Sequence, residues 1–199
     1  MKAITVILSA LLSSSAVHAL DLAACGVPAE DLPIMQKIIK HESGAKQFAI
    51  GINVGNGTSK SLFADDQATA VAWSKELLQR YPSIDMGFGQ INSKNLQKLG
   101  INIEQVFDAC TNIKSAHTIF KQNLSATGGN VMAALSMYNT GKPNSERGAK
   151  YAIAVLGNAG MNKEMTTFAQ ALAANPFYAN AMISWDNPVN NANATWKIY

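Results

Sequence analysis

Apolar residues recur along most of the chain at the three- and four-residue spacing of an α-helix. An apolar face at residues 34–39 predicts a first helix over about 32–42, with Asp31 as its N-cap and Ser43-Gly44 as its end. Asp65 or Asp66 is expected to cap a second helix. The same spacing predicts the remaining helices, over about 66–80, 93–99, 111–127 (from Thr111 or Asn112), 131–138 and 146–156.

Two shorter segments have the composition of β-strands. Residues 48–53 are β-prone, and residues 55–58 after them form a turn signal. Residues 84–92 combine a strand with a glycine-bent turn. The chain is therefore predicted to be mostly α-helical and of the α+β class, with a small sheet or hairpin inserted after the first helix.

The two ends of the chain differ in character from its middle. Residues 1–19 have a positive start, an apolar run and small residues before Ala19, which predicts a secretory signal peptide cleaved after Ala19. The run is shorter than a membrane span requires. Residues 161–199 resemble a tail, although 163–174 could add a helix, and Trp185 and Trp196 could serve either a partner-binding segment or a disordered end. The domain is expected over 20–160.

Composition and charge narrow the class of protein. Hydrophobic residues make up 48% of the 199-residue chain and charged residues 15%, which excludes global disorder. A net charge of +3 is too weak to indicate nucleic acid as a partner. The sequence has no C-x-x-C pair and few histidines, so neither a metal site nor a cofactor is predicted.

The two cysteines leave two interpretations open. Residues 22–25 read L-A-A-C, which is similar to a lipobox that would make Cys25 a lipidated N-terminus. Alternatively, Cys25 pairs with Cys110 in a disulfide, which an exported protein can form. Asp21 and His18 interrupt the apolar stretch that should lead into a lipobox, which favours the disulfide.

Glu42 stands out among the carboxylates. Most of the others lie at helix starts or on polar faces, whereas Glu42 follows Ile38 and Ile39 by four and three residues and so continues the apolar face. Burial would raise its pKa and keep it protonated near neutral pH, as a general acid for glycosidic cleavage requires. The alternative is a frayed last turn with Glu42 in water.

Two further segments could bind a polar ligand. Residues 87–92 read G-F-G-Q-I-N, where the glycines permit close approach of a backbone or ligand and Gln90 and Asn92 offer amides suited to sugar hydroxyl and acetamido groups. Residues 134–141 place Tyr138 and Asn139 at a helix end, where a sugar ring could stack. Each segment alone is also explained by a structural turn or by core packing.

Taken together, and in the order in which they occur along the chain, these segments resemble the motifs of a known family. Residues 42–44, 87–92 and 134–141 are similar to the E-S-G, G-L-G-Q-I-N and A-x-x-x-Y-N-x-G motifs of soluble lytic transglycosylases, which have the lysozyme-like fold. Residues 107–113 resemble the D-P-C-x-N segment of the small branch that serves type IV secretion and conjugation systems, with Ala109 in place of proline. The resemblance covers about 22–157.

The resemblance implies a reaction and a set of site residues. Glu42 would be the sole acid/base and would cleave the bond between N-acetylmuramic acid and N-acetylglucosamine to give a 1,6-anhydro product. The hydroxyl of Tyr151 would approach Glu42, and Cys25 would pair with Cys110. The expected substrate-binding residues are Ser43, Gln90, Asn92, Tyr138, Asn139 and Tyr151.

The resemblance also implies a setting and leaves alternatives. The expected partners are peptidoglycan glycan strands and the proteins of a type IV secretion or conjugation apparatus, and the expected location is the periplasm. A hydrolytic muramidase, with water in place of the sugar 6-hydroxyl, shares the fold and the acid. A wall-binding assembly factor of the apparatus is the alternative outside the enzymes.

Overall fold

The computed structural model of the protein describes residues 20–54 and 59–157. Within these ranges the chain is mostly helical with one small antiparallel sheet, so the predicted α+β class is confirmed. The helices are α1 Leu32–Ser43, α2 Gln67–Arg80, α3 Leu96–Leu99, α4 Ala109–Ala126, α5 Val131–Thr140 and α6 Glu146–Leu156. The strands are β1 Ala49–Asn53, β2 Ser59–Phe63, β3 Ser83–Met86 and β4 Ile91–Asn92.

Several predicted features lie outside the described residues. They are the signal peptide at 1–19, the turn at 55–58, the additional helix at 163–174 and the tail from 161 onward. Within the described part of the chain, no helix has the length and apolar character needed to cross a membrane.

The first helix confirms its predicted position but not its predicted cap. Gly44 ends α1 in the left-handed region at φ 61°, and its N–H returns to the carbonyl of Lys40. The carboxylate of Asp31 makes no capping hydrogen bond. It accepts instead from His117 Nε2 at 2.8 Å and from Lys121, so it ties the start of α1 to the middle of α4.

Strand β1 follows α1, as predicted, and β3 and β4 come after α2, within the predicted segment 84–92 except for Ser83. The sheet has the strand order β2-β1-β3-β4. All pairs are antiparallel, with Gly51 of β1 opposite Asp85 of β3 and Asp85 opposite Asn92 of β4. This register brings residues from three strands to one point. All four residues of β3 are buried, so the strand has no solvent face.

Helix α4 begins at Ala109, and the predicted start at Thr111 or Asn112 is wrong. The carboxylate of Asp108 accepts a hydrogen bond from Thr111 N at 2.8 Å and caps the helix earlier. Cys110, in the first turn, forms a disulfide with Cys25. The lead segment is thereby covalently attached to α4, and the structure supports the disulfide rather than the lipobox.

Helices α5 and α6 pack in close contact with each other. A Cβ atom at Gly148 of α6 would lie 1.9 Å from Ser136 Oγ of α5, so glycine is required for this approach. Helix α5 also continues to Thr140, beyond the predicted end at Tyr138, because Gly141 is the residue that reverses the backbone at φ 70°. Asn139 therefore lies on a regular helix.

The hydrophobic core joins these helices to the inner face of the sheet. Its most completely buried large side chains are Met35, Ile38, Ile39, Ile50, Ile84, Met86, Ile91, Val106, Phe107, Ile113, Phe120 and Leu135. Their burial supplies the main favourable term of folding. The candidate site lies where the end of α1 meets the sheet and α5.

Candidate active site

Glu42 lies on the buried face of α1, one residue before the helix ends. Its exposed fraction is 5%, so the frayed alternative is wrong and the expected burial is confirmed. Oε1 accepts a hydrogen bond from the hydroxyl of Tyr151 on α6. Oε2 is buried and has no hydrogen-bond partner among the described residues. One oxygen of the carboxyl is therefore held by the protein, and the other is available to a ligand.

The protonation state of Glu42 follows from these surroundings. Burial raises its pKa from 4.5 to about 8, the hydroxyl of Tyr151 opposes this rise, and the nearby carboxyl of Asp85 adds to it. Glu42 consequently carries its proton at neutral pH. A protonated carboxyl beside a cleft is the state that a general acid needs.

Two tyrosine rings lie next to Glu42. Tyr138 of α5 and Tyr151 of α6 are parallel within 8°, with centroids 6.4 Å apart. The rings of His41 and Tyr151 form a T-shaped pair with centroids 4.9 Å apart. Burial lowers the pKa of His41 to about 4, so its imidazole is neutral. The hydroxyl of Tyr138 donates to the carbonyl of Gly89 at 2.8 Å. The tyrosines therefore link the acid to the glycine-bent turn.

Gln90 lies in that turn with a backbone conformation that few residues other than glycine adopt. Its backbone lies in the left-handed region at φ 48°, which is uncommon for a residue other than glycine. Its Nε2 donates to the carbonyls of Gly87 at 2.8 Å and Ala49 at 3.2 Å. The N–H groups of the side-chain amide thus hold the turn against β1. The other polar atom of this side chain, Oε1, takes no part in these hydrogen bonds.

Asn112 of α4 explains why the turn contains glycine. Its Oδ1 accepts from Gly89 N at 2.7 Å, and its Nδ2 donates to the carbonyls of Met86 and Val106 at 2.9 and 2.7 Å. A Cβ atom at Gly87 would lie 2.1 Å from Asn112 Nδ2. The group that approaches Gly87 is therefore a buried protein side chain, and the glycine serves the construction of the turn.

An open cleft passes over Glu42 and Gln90, and both residues line each of its two halves. One half is lined by two lysines, two serines and an exposed aromatic ring, namely Lys40, Lys46, Ser43, Ser61 and Phe63. The other half is lined by amides, an acid and a tyrosine, namely Asp85, Asn92, Asn95, Tyr138 and Asn139, together with Ile119. The cleft offers polar groups on both sides of a protonated carboxyl.

Comparison with known proteins identifies the family. A model of the transglycosylase SLT domain matches residues 27–174, which is well over half of the chain. The chain belongs to the transglycosylase SLT domain family. No curated protein and no solved structure matches it. Membership supports lytic transglycosylase activity on peptidoglycan and accords with the lysozyme-like fold.

The SLT domain brings most of the predicted site residues to the same cleft. Ser43, Gln90 and Asn92 line it, as do Tyr138 and Asn139 of α5. Asn139 Oδ1 is buried and has no hydrogen-bond partner within the described part of the chain. Asn139 therefore has an acceptor that a ligand could satisfy.

Tyr151 and Asn92 are largely engaged by the protein itself. Tyr151 is buried beneath the cleft and contacts it through Glu42. Asn92 donates from Nδ2 to Asp85 Oδ1 at 2.7 Å and accepts from Lys94 N at its own Oδ1, at 3.0 Å. Both residues hold a carboxyl group of the site.

Asp85 is a buried site residue that the sequence analysis did not single out. It lies on β3 with an exposed fraction of 2%, and Asn53 Nδ2 donates to its Oδ2 at 2.9 Å. Burial raises its pKa to about 6, although the hydrogen bonds from Asn53 and Asn92 oppose the rise. An aspartate between Ile84 and Met86 in a strand is itself a signal, because aspartate is depleted in strands.

The described residues contain no group of three or more histidine, cysteine, aspartate or glutamate side chains arranged to hold a metal ion. The ionisable groups at the centre of the cleft are instead two carboxyls, with two tyrosines beside them. Burial raises the pKa of both tyrosines well above 10, so they act as hydrogen-bond donors at neutral pH.

Proposed function

We propose that Glu42 is the catalytic acid and base of this SLT domain and that the reaction is lytic transglycosylation. The observation that carries the proposal is the state of its carboxyl: buried, protonated at neutral pH and fixed through Oε1 by Tyr151, with Oε2 unpartnered among the described residues. A fixed carboxyl needs little reorganisation when it transfers its proton.

In the proposed reaction Glu42 acts twice, first as an acid and then as a base. Glu42 donates its proton to the glycosidic oxygen, which joins C1 of N-acetylmuramic acid to C4 of N-acetylglucosamine, and the bond between C1 and this oxygen breaks. The muramic 6-hydroxyl oxygen then bonds to C1, and its proton passes to the Glu42 carboxylate. The products are a 1,6-anhydromuramoyl end and a free N-acetylglucosamine 4-hydroxyl. No water is consumed, and Glu42 regains its proton.

The substrate-binding residues follow from the amides and rings of the cleft. Asn139 Oδ1 would accept a hydrogen bond from a sugar hydroxyl or acetamido N–H, which would satisfy a buried acceptor. Gln90 and Tyr138 would contact the sugar next to Glu42, and Ser43 would border the opposite half of the cleft. Asn92 and Tyr151 would contribute by holding Asp85 and Glu42.

We further propose that this activity opens the periplasmic cell wall for a type IV secretion or conjugation apparatus. The support is the D-x-C-x-N segment at 108–112, the Cys25–Cys110 disulfide and the signal peptide expected at 1–19. The exported, oxidising compartment that the signal peptide implies is the one in which such a disulfide persists.

Product analysis tests the reaction. Purified murein is digested with the wild type, with Glu42→Gln and with Glu76→Gln, a matched control whose carboxylate forms an exposed ion pair with Arg80. We expect 1,6-anhydro ends from the wild type and the control, and none from Glu42→Gln. Reducing muramic ends from the wild type would instead identify a hydrolytic muramidase.

The cellular role has its own test. In cells that lack the protein, wild type is expected to restore apparatus assembly and substrate transfer, and Glu42→Gln is not. Restoration by Glu42→Gln would contradict the proposed enzymatic role and would identify a wall-binding assembly factor.

A further inference from the structure

The two halves of the cleft differ in chemistry. The half that is lined largely by amides matches neutral hydroxyl and acetamido groups of sugars. The other half, called here the lysine half, has two ammonium groups at its wall, from Lys40 of α1 and from Lys46 in the loop between α1 and β1. Ammonium groups form their strongest hydrogen bonds with anions, and the proposed reaction gives these two no task.

The charges of the lysine half are not neutralised by the protein. Within residues 20–54 and 59–157, neither Lys40 nor Lys46 forms an ion pair with a carboxylate. Among the described residues that line this half, Glu42 has the only carboxyl group, and it carries its proton at neutral pH. The lysine half is therefore positively charged before a ligand enters.

Lys46 is held in place by an aromatic ring. Its Nζ lies 3.7 Å from the centroid of the ring of Phe63, which belongs to β2 and has an exposed fraction of 48%. The face of an aromatic ring attracts a cation but carries no net charge. The ring therefore fixes the position of the ammonium group at the wall of the cleft and leaves its charge available to an anion.

We propose that Lys40 and Lys46 bind the acidic substituent at O3 of N-acetylmuramic acid, so that the cleft selects glycan strands that carry carboxylates over neutral strands. This inference rests on the proposed cleavage of glycan strands at Glu42. The O3 substituent is a lactyl ether whose carboxyl group is either free or joined by an amide bond to a short acidic peptide. In both forms the substituent presents carboxylate to the lysine half.

The remaining groups of the lysine half fit such a substituent. Ala49 and Ile50 of β1 provide apolar surface beside the Phe63 ring, against which the methyl groups of a lactyl or alanyl unit can pack. Ser61 of β2 adds a hydroxyl that can donate to a carboxylate oxygen. The lysine half thus combines cations, a donor and an apolar surface.

The exposure of the two lysines sets the size of the expected effect. Both side chains are exposed, so water and salt screen their interaction with a carboxylate. Each lysine should therefore contribute modestly to affinity, and the contribution should decline as the salt concentration rises. This salt dependence distinguishes a charge that binds the ligand from a side chain that only shapes the cleft.

The first experiment measures binding without cleavage. Calorimetry gives the Kd of a soluble muramoyl oligosaccharide that carries its peptides, with Glu42→Gln as the background because glutamine keeps this position neutral. The added changes are Lys40→Gln, Lys46→Gln and the two together. The matched control is Lys60→Gln, since Lys60 is an exposed lysine of β2 that precedes Ser61 and so lies on the opposite face of the sheet.

We expect Kd to rise by about threefold for each single change and by about tenfold for the pair, and the control to match the background. An unchanged Kd in the doubly changed protein would overturn the inference. Lys46→Arg keeps the charge and its contact with the ring, so its Kd should stay within about twofold of the background. A loss as large as that of Lys46→Gln would show that charge is not what the residue supplies.

The second experiment varies the substituent. The same oligosaccharide is stripped by an amidase, which leaves the free lactyl carboxylate, and a portion is converted to the neutral methylamide. The double change should weaken binding of at least one charged form and leave the Kd of the methylamide within about twofold. Sensitivity of the peptide-bearing form alone assigns the carboxylate to the peptide, and sensitivity of the stripped form assigns it to the lactyl group. Equal weakening on the methylamide would contradict the inference.

Salt provides an independent measurement. Between about 50 and about 300 mM sodium chloride, the Kd of the charged oligosaccharide should rise in the background protein and rise much less when both lysines are changed. Parallel salt dependence in the two proteins would count against the inference. A wild type that releases no 1,6-anhydro ends from murein defeats the proposed function, whereas an active wild type whose binding ignores both lysines defeats this inference alone.

Discussion

The hydroxyl of Tyr151 donates a hydrogen bond to Glu42 Oε1 across 109 positions of sequence, from α6 to the end of α1. This contact fixes the orientation of the acid from beneath the cleft. It also acts against the effect of burial on the acid, because a hydrogen bond to the carboxylate favours the ionised form. The contact therefore bears on both the geometry and the pKa of Glu42.

Tyr151→Phe tests both effects. Without the hydroxyl, the pKa of Glu42 should rise above about 8, so the basic limb of the kcat/KM profile should move to higher pH. The freed carboxyl should also lower kcat by about tenfold or more, since its orientation is lost. A pH–rate profile of wild type and variant measures both. Coincident basic limbs would show that the hydroxyl does not control the acid.

Glu42→Gln should change how the stability of the protein depends on pH. The pKa of Glu42 is about 8 in the folded state and about 4.5 when unfolded, so the folded state binds the extra proton between these values. This contribution to stability is present below about pH 4.5 and is lost as pH rises through about 8. Asp85, with its raised pKa, acts in the same direction over a lower range.

We therefore expect the thermal midpoint of Glu42→Gln, relative to wild type, to rise steadily from pH 5 to pH 8. Scanning calorimetry in buffers of matched ionic strength measures this difference. Glu76→Gln, at an exposed ion pair, should run parallel to wild type. A constant offset between Glu42→Gln and wild type would contradict the raised pKa.

Gly87→Ala should destabilise the glycine-bent turn by about 2–4 kcal/mol. A Cβ atom there meets Asn112 Nδ2 at 2.1 Å, and φ of 75° adds backbone strain. Gly100→Ala is the matched control, because Gly100 has φ 68° with nothing within 4 Å, and it should cost only about 1 kcal/mol. Urea unfolding of both variants separates the clash from the strain. Equal losses would indicate that Asn112 moves aside.

Replacing both cysteines by serine should lower the unfolding free energy while leaving the cleft chemistry intact. The disulfide closes a separation of 85 residues, for which the chain-entropy account gives about 4–5 kcal/mol. We expect a lower denaturant midpoint and, well below the melting temperature, a kcat within about threefold of wild type. A large loss of kcat in a fully folded variant would show that the disulfide also shapes the cleft.

The sequence predicted those features that depend on local spacing. Glu42 was identifiable because it continues a helical apolar face, and the buried position in the structure has the same cause. The cap of α2 behaves likewise, since Asp66, one of the two expected caps, accepts from the backbone N–H of Thr69.

Features that depend on packing between distant elements were not predictable in this way. Asp85 becomes a site residue only through the register that sets it opposite Gly51 and Asn92. Its strand is buried on both faces and so lacks the alternation that marks an inward position. The role of Asn112 depends on where α4 crosses the turn. The carboxylate of Asp31 accepts from His117 and Lys121 of α4 and does not cap α1, which likewise depends on packing between distant elements.

The contact between Gly148 and Ser136 lies outside the site but controls the width of the cleft. Tyr138 belongs to α5 and holds the turn that carries Gln90, and Tyr151 belongs to α6 and holds the acid. The separation of the two helices therefore sets the distance between the turn that carries Gln90 and the carboxyl of Glu42. Because Gly148 has no side chain, α6 can approach α5 closely, and any larger residue at position 148 would push the two helices apart and widen the cleft.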